Sequence, residues 1–387
     1  MNKTNYDVII IGAGSIGTPT AFFLADAGVK VLVIDKFASA GQGSNKAAIG
    51  GIRATHSDPS KISLCLQSIE IFSTWEQRYG DDIGWLQGGY SFVAYREKEE
   101  KTLKDLLDIQ RKYSLNIDWL DQETLLEVIP SLNPEGLIGG TYSPNDGSAS
   151  PLLAAAAFYR RAVQRQATFH FQETVTGIEI KGNRVQSIQT DKNRYSAETF
   201  INAAGAWARE VARMAGIDVP VTPDSHEAGV TEPVARFLSC MVVDSRPTSD
   251  SANFYFHQHD TEQLIFCITP YPAILGEDRQ ETSMFLPQIA RRMITLMPRL
   301  RNLKVRRTWR GLYPMTPDGF PIVGKLPQLE NYIFAVGMCG QGFMLGPGVG
   351  KLLTRLLKNE LESQDPHILD DLRPGRSFSG RGQEKLA

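Results

Sequence analysis

The sequence predicts an α/β protein, α+β overall, in which a parallel-sheet domain built from separated segments carries an inserted antiparallel-sheet domain. A strand, a glycine-rich turn and a helix follow one another near residue 10, and a second such unit follows near residue 335. Between them, from about residue 220 to residue 298, short strand-like runs are interrupted by Pro and Asp. We therefore assign residues 1–85, 145–220 and 305–372 to the first domain and residues 86–144 and 221–304 to the insert. Residues 373–387 are polar and glycine-rich, and we expect a flexible tail there.

The first unit has the pattern of a dinucleotide-binding βαβ motif. The run DVIII at residues 7–11 lacks alternation, as expected of a strand that is buried on both faces. In the turn GAGSIG, Gly12 permits the tight bend, Gly14 lets the backbone approach a pyrophosphate, and Gly17 allows close helix packing. Asp35 ends the next strand, where a carboxylate can bond ribose hydroxyls. A Rossmann-like domain is predicted, and this motif alone leaves NAD and FAD both open.

Three further segments of small residues favour FAD. A flavin ring must be held far from the adenine of the dinucleotide, and residues 43–53, 202–207 and 337–344 offer backbone that a ligand can approach closely. Each segment taken singly reads as an ordinary glycine-rich loop. The three together make the first domain a candidate FAD-binding domain and the insert a candidate substrate domain.

The composition favours a small-molecule partner. The chain has 387 residues and a formal net charge of −2, which gives no electrostatic footprint for nucleic acid or for an anionic membrane. No window approaches the roughly 18 apolar residues of a membrane span. The four cysteines are far apart, which favours a cytoplasmic protein with reduced thiols. His257 and His259 lack a carboxylate or thiol spaced to complete a site, so we expect no metal.

Nearly the whole chain resembles the flavin amine oxidoreductases of the D-amino-acid oxidase superfamily. The resemblance rests on GAGSIG, the loop from Gly43 to Arg53, NAAGAW at residues 202–207, GLYPMTPDG at residues 311–319 and GQGF at residues 340–343. Within the superfamily the chain is most similar to the β subunits of heteromeric sarcosine oxidase and proline dehydrogenase. The resemblance implies FAD held by Gly12, Gly14, Ser15, Ile16, Gly17, Asp35, Lys36, Gly43, Ser44, Gly50, Gly51, Val175, Ala204, Gly205, Trp207, Gly311, Gly340, Gln341, Gly342, Phe343 and Met344.

The resemblance also implies four residues at the substrate. Arg53 matches an arginine that grips the substrate carboxylate, and a guanidinium suits this role because it pairs with a carboxylate bidentately; a surface or phosphate-facing arginine is the alternative. Tyr313 matches an active-site tyrosine of sarcosine oxidases, where glycine oxidase has an arginine. Tyr255 and His257 share one face of a strand and either border the pocket or pack within the sheet. His226 is open between a base and a structural histidine.

Several departures from the family define the expected subclass. Gly311 replaces the cysteine that tethers flavin in monomeric sarcosine oxidase, and Pro151 replaces a histidine bound to a second flavin in the heteromeric enzyme, so the FAD is expected to be non-covalent. Gln341 and Met344 replace a histidine and a lysine beside the ring. The chain has no lysine between residues 192 and 304, where monomeric sarcosine oxidases carry an oxygen-activating lysine. We expect slow reaction with oxygen.

The expected reaction is oxidation of the C–N bond of a secondary or N-alkyl amino acid (sarcosine, proline, hydroxyproline or opine type) to an imine, by hydride transfer to flavin N5. Alternatives are the β subunit of a heteromeric dehydrogenase, a flavin-holding subunit without its own turnover, a D-amino-acid or glycine oxidase and, more remotely, a flavin hydroxylase. Besides its amino-acid substrate, the protein is expected to have as a possible partner a second subunit or an electron-acceptor protein.

Overall fold

The computed structural model describes residues 6–378 and 384–386. The helices are α1 Gly17–Asp26, α2 Pro59–Ser73, α3 Trp75–Tyr79, α4 Glu97–Lys112, α5 Gln122–Val128, α6 Pro151–Gln164, α7 Ala208–Met214, α8 Phe285–Leu296, α9 Gly342–Lys358 and α10 Asp365–Asp371. Single 3-10 turns lie at Asn45–Ala47, Gly205–Trp207 and Pro298–Asn302. The strands are β1 Tyr6–Ile11, β2 Val31–Asp35, β3 Gly51–Ile52, β4 Tyr90–Ala94, β5 Asp118–Asp121, β6 Gly139–Ser143, β7 Gly147–Ser148, β8 Thr168–Phe171, β9 Val175–Lys181, β10 Arg184–Thr190, β11 Arg194–Tyr195, β12 Ala197–Asn202, β13 Thr222–Pro233, β14 Met241–Asp244, β15 Ser251–Gln258, β16 Gln263–Pro270, β17 Val305–Met315, β18 Ile322–Leu326 and β19 Leu329–Val336.

A six-stranded sheet, in the order β18-β19-β12-β1-β2-β8, forms the first layer of the molecule. Every pair is parallel except β18 with β19. Val8 and Ile10 of β1 pack on the helical face that includes α1 and α9, while Ile9 and Ile11 pack on the opposite face. The absence of alternation in this run is thus explained, because both faces of the strand are buried.

An eight-stranded sheet, in the order β17-β13-β16-β15-β14-β4-β6-β5, forms the second layer. Its pairs are antiparallel except β14 with β4. Helix α8 covers one face through Phe285 and Ile289, which are buried with Phe254 and Phe266. Strand β17 pairs along β13 from Thr222 to Thr231. Residues 305–315 therefore belong to this sheet, although the sequence pattern assigned residue 305 onward to the first domain.

The last described residues are packed onto the protein, in contrast to the flexible tail expected for residues 373–387. Arg376 is buried and its guanidinium bonds both carboxylate oxygens of Asp318. Glu384 and Leu386 are 8% and 4% exposed. Composition misled here because a polar, glycine-rich segment can still be held by a few buried ion pairs. Residues 379–383 and 387 lie outside the described residues. Among the described residues, no helix is long and apolar enough to cross a membrane.

Candidate active site

One large cavity runs from the carboxyl ends of β1, β2 and β12 to the face of the eight-stranded sheet. Its empty volume, including the open mouth, is about 1970 Å³. Its lining extends from Gly12 and Asp35, after β1 and at the end of β2, to Tyr255 and Tyr313 on the eight-stranded sheet. A dinucleotide and a substrate can therefore share this one space.

The dinucleotide end is built from the turn between β1 and α1. Gly12 has a φ of +109°, and a Cβ there would lie 2.5 Å from the Ala203 carbonyl oxygen. A Cβ on Gly17 would lie 1.9 Å from the Gly12 carbonyl oxygen, whereas one on Gly14 would meet no protein atom within 4 Å. Both Gly12 and Gly14 line the cavity. The open side of Gly14 is where a phosphate can approach the backbone.

Asp35 and Lys36 continue this end of the cavity. Asp35 accepts hydrogen bonds from the backbone N–H groups of Ala13 (2.6 Å) and Phe37 (2.7 Å), which fixes its carboxylate at the turn. Burial raises the pKa of Asp35 despite these bonds. The Lys36 ammonium lies 3.7 Å from the ring centroid of Trp207, a cation–π contact that closes the cavity wall.

At the opposite end of the cavity, glycine residues leave the backbone open, so that a flat ring can lie against it. Gly340 has a φ of +79°, and a Cβ there would lie 2.2 Å from the Tyr313 ring. The amino end of α9 faces the cavity with Gly342, Phe343 and Met344. A helix amino end carries a partial positive charge that stabilises negative charge on a neighbouring ligand.

Besides His226, two residues that line the cavity have a buried polar atom with no hydrogen-bond partner among the residues that the structure describes. The two atoms are Ser44 Oγ and Gln341 Oε1, and both are buried. Buried polar groups are nearly always paired in folded proteins, so each is a hydrogen-bonding site for a bound molecule. These atoms, the open Gly14 and the α9 amino end together fit a flavin dinucleotide.

The substrate end is a wall of aromatic side chains on the eight-stranded sheet. Tyr255 and Tyr313 are hydrogen-bonded through their hydroxyl groups. Burial raises the pKa of both tyrosines well above the usual value, so both hydroxyls stay protonated. Cys267 lies beside them, and burial raises the pKa of its thiol to about 11. The wall is uncharged and mostly apolar.

His226 stacks on this wall. Its ring lies 3.7 Å from the Tyr313 ring, centroid to centroid, at an interplanar angle of 17°. Its Nε2 is 3.2 Å from Asp224 Oδ2, and Asp224 also accepts from the Ile274 N–H. The Nδ1 atom is buried and unpartnered among the described residues. Because His226 lines the cavity, Nδ1 is available to a bound molecule.

Arg53 enters the cavity from the segment after β3. Its side chain is 5% exposed and lies over the rings of Tyr90 and Phe92 at 5.7 and 5.2 Å. Its Nη1 donates to the Thr55 carbonyl, and its Nη2 donates to the Leu386 carbonyl. Its Nη1 also lies 3.1 Å from His56 Nδ1, so the described residues hold the guanidinium at the aromatic wall through two carbonyls and an imidazole.

Asp146 supports the backbone that carries Arg53. Its carboxylate accepts from the Ala54 N–H at 3.1 Å and from the Thr55 hydroxyl at 3.0 Å. Burial raises the pKa of Asp146 to about 6, although these hydrogen bonds act in the opposite direction.

Asp146→Asn is expected to change the pH dependence of stability. The carboxyl has a pKa of about 6 in the folded protein and an ordinary value of 3.8, so folding favours its protonated form. This contribution is fully present below pH 4 and is lost as the pH rises to about 6, at a cost of up to about 3 kcal/mol. Urea unfolding at pH 4, 5, 6 and 7 measures it. Parallel curves for the wild type and the variant would contradict the assignment.

The structure brings together most of the residues that the sequence nominated. Arg53, Tyr255, Tyr313 and every nominated FAD contact except Gly17 line the one cavity. Gly17 lies behind the turn, where its missing side chain lets α1 pack. His257 does not line the cavity, because its Nε2 is bonded to the Ile49 carbonyl at 2.8 Å. Burial lowers the pKa of His257 to about 4, so this histidine is neutral.

Other residues at or beside the cavity escaped sequence analysis. Tyr90 and Cys267 line the cavity, and Asp224 contacts His226, which also lines it. All three stand in ordinary strand patterns, and only the pairing of distant strands brings these strands together. Leu386 is 333 residues away from the Arg53 that it contacts. The polar, glycine-rich composition around Leu386 predicted exposure, so nothing in the sequence indicated that Leu386 is buried.

Comparison with known proteins gives consistent findings. A family model described as "FAD dependent oxidoreductase" (DAO) matches residues 7–356. The chain is 25% identical to mouse mitochondrial sarcosine dehydrogenase over 94% of its length, but it spans only 41% of that protein. It is 27% identical to a hydrogen cyanide synthase subunit, HcnC, of Pseudomonas protegens, with 92% of this chain and 93% of that one covered.

Solved structures agree with this fold. The L-proline dehydrogenase of P. horikoshii superposes with a TM-score of 0.87 at 30% identity, covering 93% of this chain and 95% of that one. The glycine oxidase of Geobacillus kaustophilus superposes with a TM-score of 0.86 at 25% identity, covering 96% and 99%.

Proposed function

Since the chain belongs to the DAO family of FAD-dependent oxidoreductases, we propose that it oxidises the C–N bond of a secondary or N-alkyl amino acid. Its relatives include proteins named for sarcosine, glycine and proline. The proposal concerns which of these chemistries the site of this chain favours. Sarcosine and proline share a carboxylate next to a substituted nitrogen, and glycine has an unsubstituted nitrogen.

The observation that carries the proposal is the position of Arg53 against an uncharged aromatic wall. A guanidinium at one end of the pocket selects a carboxylate. The hydroxyls of Tyr255 and Tyr313 stay neutral. By the family resemblance, Tyr313 takes the place of an arginine of glycine oxidase. An apolar surface of this kind favours a substrate whose nitrogen bears an alkyl group or a ring.

Each group of residues in the site has a role in the proposed reaction. Arg53 binds the carboxylate, the tyrosine pair and the His226 ring hold the apolar body, and the α9 amino end stabilises negative charge at the ring end of the cavity. FAD, when bound, supplies the two-electron chemistry that no side chain provides. The substrate loses a hydride from carbon and a proton from nitrogen, and its C–N bond becomes C=N. The imine is then hydrolysed by water or, if cyclic, persists.

A second candidate is a catalytic subunit that passes its electrons to a partner chain. It is favoured by the similarity to HcnC, which is named as a subunit and is covered over nearly its full length. The proposed slow reaction with oxygen also agrees with it. In that case the isolated protein would turn over with artificial electron acceptors and poorly with oxygen.

Anaerobic bleaching of the flavin absorbance tests the proposal. The holoprotein is mixed without oxygen with sarcosine, L-proline, D-proline, hydroxyproline, an opine, glycine and D-alanine in turn. We expect bleaching by at least one secondary amino acid at a rate at least tenfold above that with glycine or D-alanine. Equal or faster bleaching by the primary amino acids would reject the substrate class. Reoxidation in air and with a dye acceptor then separates the two candidates.

A further inference from the structure

The segment at residues 384–386 is anchored beside the proposed carboxylate site. Glu384 Oε2 accepts from the Lys61 ammonium at 2.7 Å, and both side chains are buried. Glu384 Oε1 accepts from the hydroxyl of Ser57 at 2.6 Å and from the Leu386 N–H at 3.1 Å. Burial opposes ionisation of Glu384, but Lys61 outweighs it and holds the pKa of this carboxyl well below its usual range. The Glu384 carboxylate of the anchor is therefore ionised at neutral pH.

Beyond this anchor, Leu386 has the two features of an amino-acid ligand. Its carbonyl oxygen accepts a hydrogen bond from Arg53 Nη2. Its side chain is 4% exposed and belongs to one apolar cluster with Tyr90, Phe92 and Val243. These three residues also line the cavity. An oxygen acceptor on Arg53 and an apolar group on the aromatic wall are what the proposed substrate presents.

The hydrogen bond between Arg53 and the Leu386 carbonyl is one that a carboxylate ligand can replace. Among the described residues, Arg53 donates to the carbonyls of Thr55 and Leu386. A carboxylate brings a full negative charge and can accept from both arms of a guanidinium at once, which a single carbonyl cannot. A carboxylate ligand can therefore displace the Leu386 carbonyl. The Lys61–Glu384 pair would keep the segment attached nearby while Leu386 moves.

From these contacts we propose that Leu386 is an internal ligand of the substrate pocket, and that binding of a carboxylate displaces it from Arg53. This inference rests on the proposed role of Arg53. In the resting enzyme, residues 384–386 would therefore block the carboxylate site. These residues lie outside the part of the chain matched by the family model. Apparent affinity for substrate is then reduced by the fraction of molecules in the blocked state.

Thiol labelling of the holoprotein tests the displacement. All four native cysteines are buried, so reaction with maleimide reports the accessibility of a cysteine introduced at residue 386. The matched control is Lys385→Cys, because Lys385 is exposed next to it. We expect Leu386→Cys to react at least tenfold more slowly than the control, and saturating propionate to raise its rate at least threefold. Propionamide, which is neutral and of similar shape, should leave both rates unchanged.

A binding measurement gives the second readout. Propionate binding is followed by the change in flavin absorbance of the wild type and of Leu386→Ala, which keeps the Lys61–Glu384 pair. We expect the dissociation constant to fall at least threefold in the variant. The proposed displacement would be overturned if Leu386→Cys reacted with maleimide as fast as Lys385→Cys, or if propionate left its labelling rate unchanged. It would also be overturned if Leu386→Ala bound propionate more weakly than the wild type. Absence of any propionate binding would overturn it as well, while the amino-acid panel judges the proposed reaction separately.

Discussion

Gly17→Ala is expected to prevent folding of the protein, whereas Gly14→Ala is expected to fold and lose FAD. A Cβ on Gly17 would lie 1.9 Å from the Gly12 carbonyl oxygen and 3.2 Å from Ile10 Cγ2. Both are held by the central strand β1, so the clash cannot be relieved by a rotamer change. Overpacking typically costs about 1–3 kcal/mol, and a contact this short with backbone costs more. A domain has only about 5–15 kcal/mol of stability in total.

Gly14 differs from Gly17 in what its missing side chain faces. A Cβ there meets no protein atom within 4 Å, so the FAD-free variant should keep the wild-type melting temperature. The added methyl group would stand where we place the pyrophosphate. We expect the FAD dissociation constant to rise at least 100-fold, about 2.7 kcal/mol. Soluble yield and circular dichroism report whether each of the two variants folds, and FAD titration reports the affinity of Gly14→Ala. A wild-type FAD affinity in Gly14→Ala would mean that the phosphates bind elsewhere.

Arg53→Met is expected to raise the dissociation constant of a carboxylate ligand at least tenfold, about 1.4 kcal/mol. The guanidinium is the group that we propose to bind the carboxylate, and methionine keeps an apolar stem while removing all donors. Propionate titration of the flavin absorbance measures binding, and the Michaelis constant for the active amino acid should rise in parallel. Arg53→Lys should recover only part of the affinity, since an ammonium lacks the planar fork.

Arg292→Met provides a matched control for Arg53→Met. Arg292 is 8% exposed, close to the 5% of Arg53, and its guanidinium also lies over an aromatic ring, that of Phe254. It bonds Ser251 at 2.7 Å and does not line the cavity. Its loss should lower stability without changing propionate affinity. An unchanged affinity and flavin spectrum in Arg53→Met would remove Arg53 from the site.

The nucleotide end of the site could be predicted because its signals are local. Gly12, Gly14 and Gly17 lie within six residues, and the flanking strands identify the turn. A Cβ on Gly17 would meet Gly12 and Ile10 of the same unit, and one on Gly14 would meet no protein atom, whereas the constraint on Gly12 comes from Ala203 and Ala204. Motifs of this kind depend on a short stretch of chain, so they can be read before the fold is known.

The substrate end was predicted only in part, because it is assembled by pairing of distant strands. Tyr255 and His257 share one face of β15, yet Tyr255 lines the cavity while His257 is bonded to Ile49 from the loop before β3. Alternation along the strand indicates a face but not what covers each position on it. Similarly, the Asp224–His226 contact is local, whereas its stacking on Tyr313 depends on the register of β13 with β17.

The sequence by itself determined the α/β class, the dinucleotide turn and the family of the chain, because glycines with obligatory backbone conformations and unbroken apolar runs act over a few residues. Only the tertiary structure decided what Arg53 contacts, where His257 points and that Glu384 and Leu386 are buried. Those outcomes depend on contacts between segments as much as 333 residues apart, made by single carbonyls and one buried ion pair. Such contacts leave no periodicity in the sequence, and a polar composition predicted exposure where Lys61 instead holds Glu384 inside.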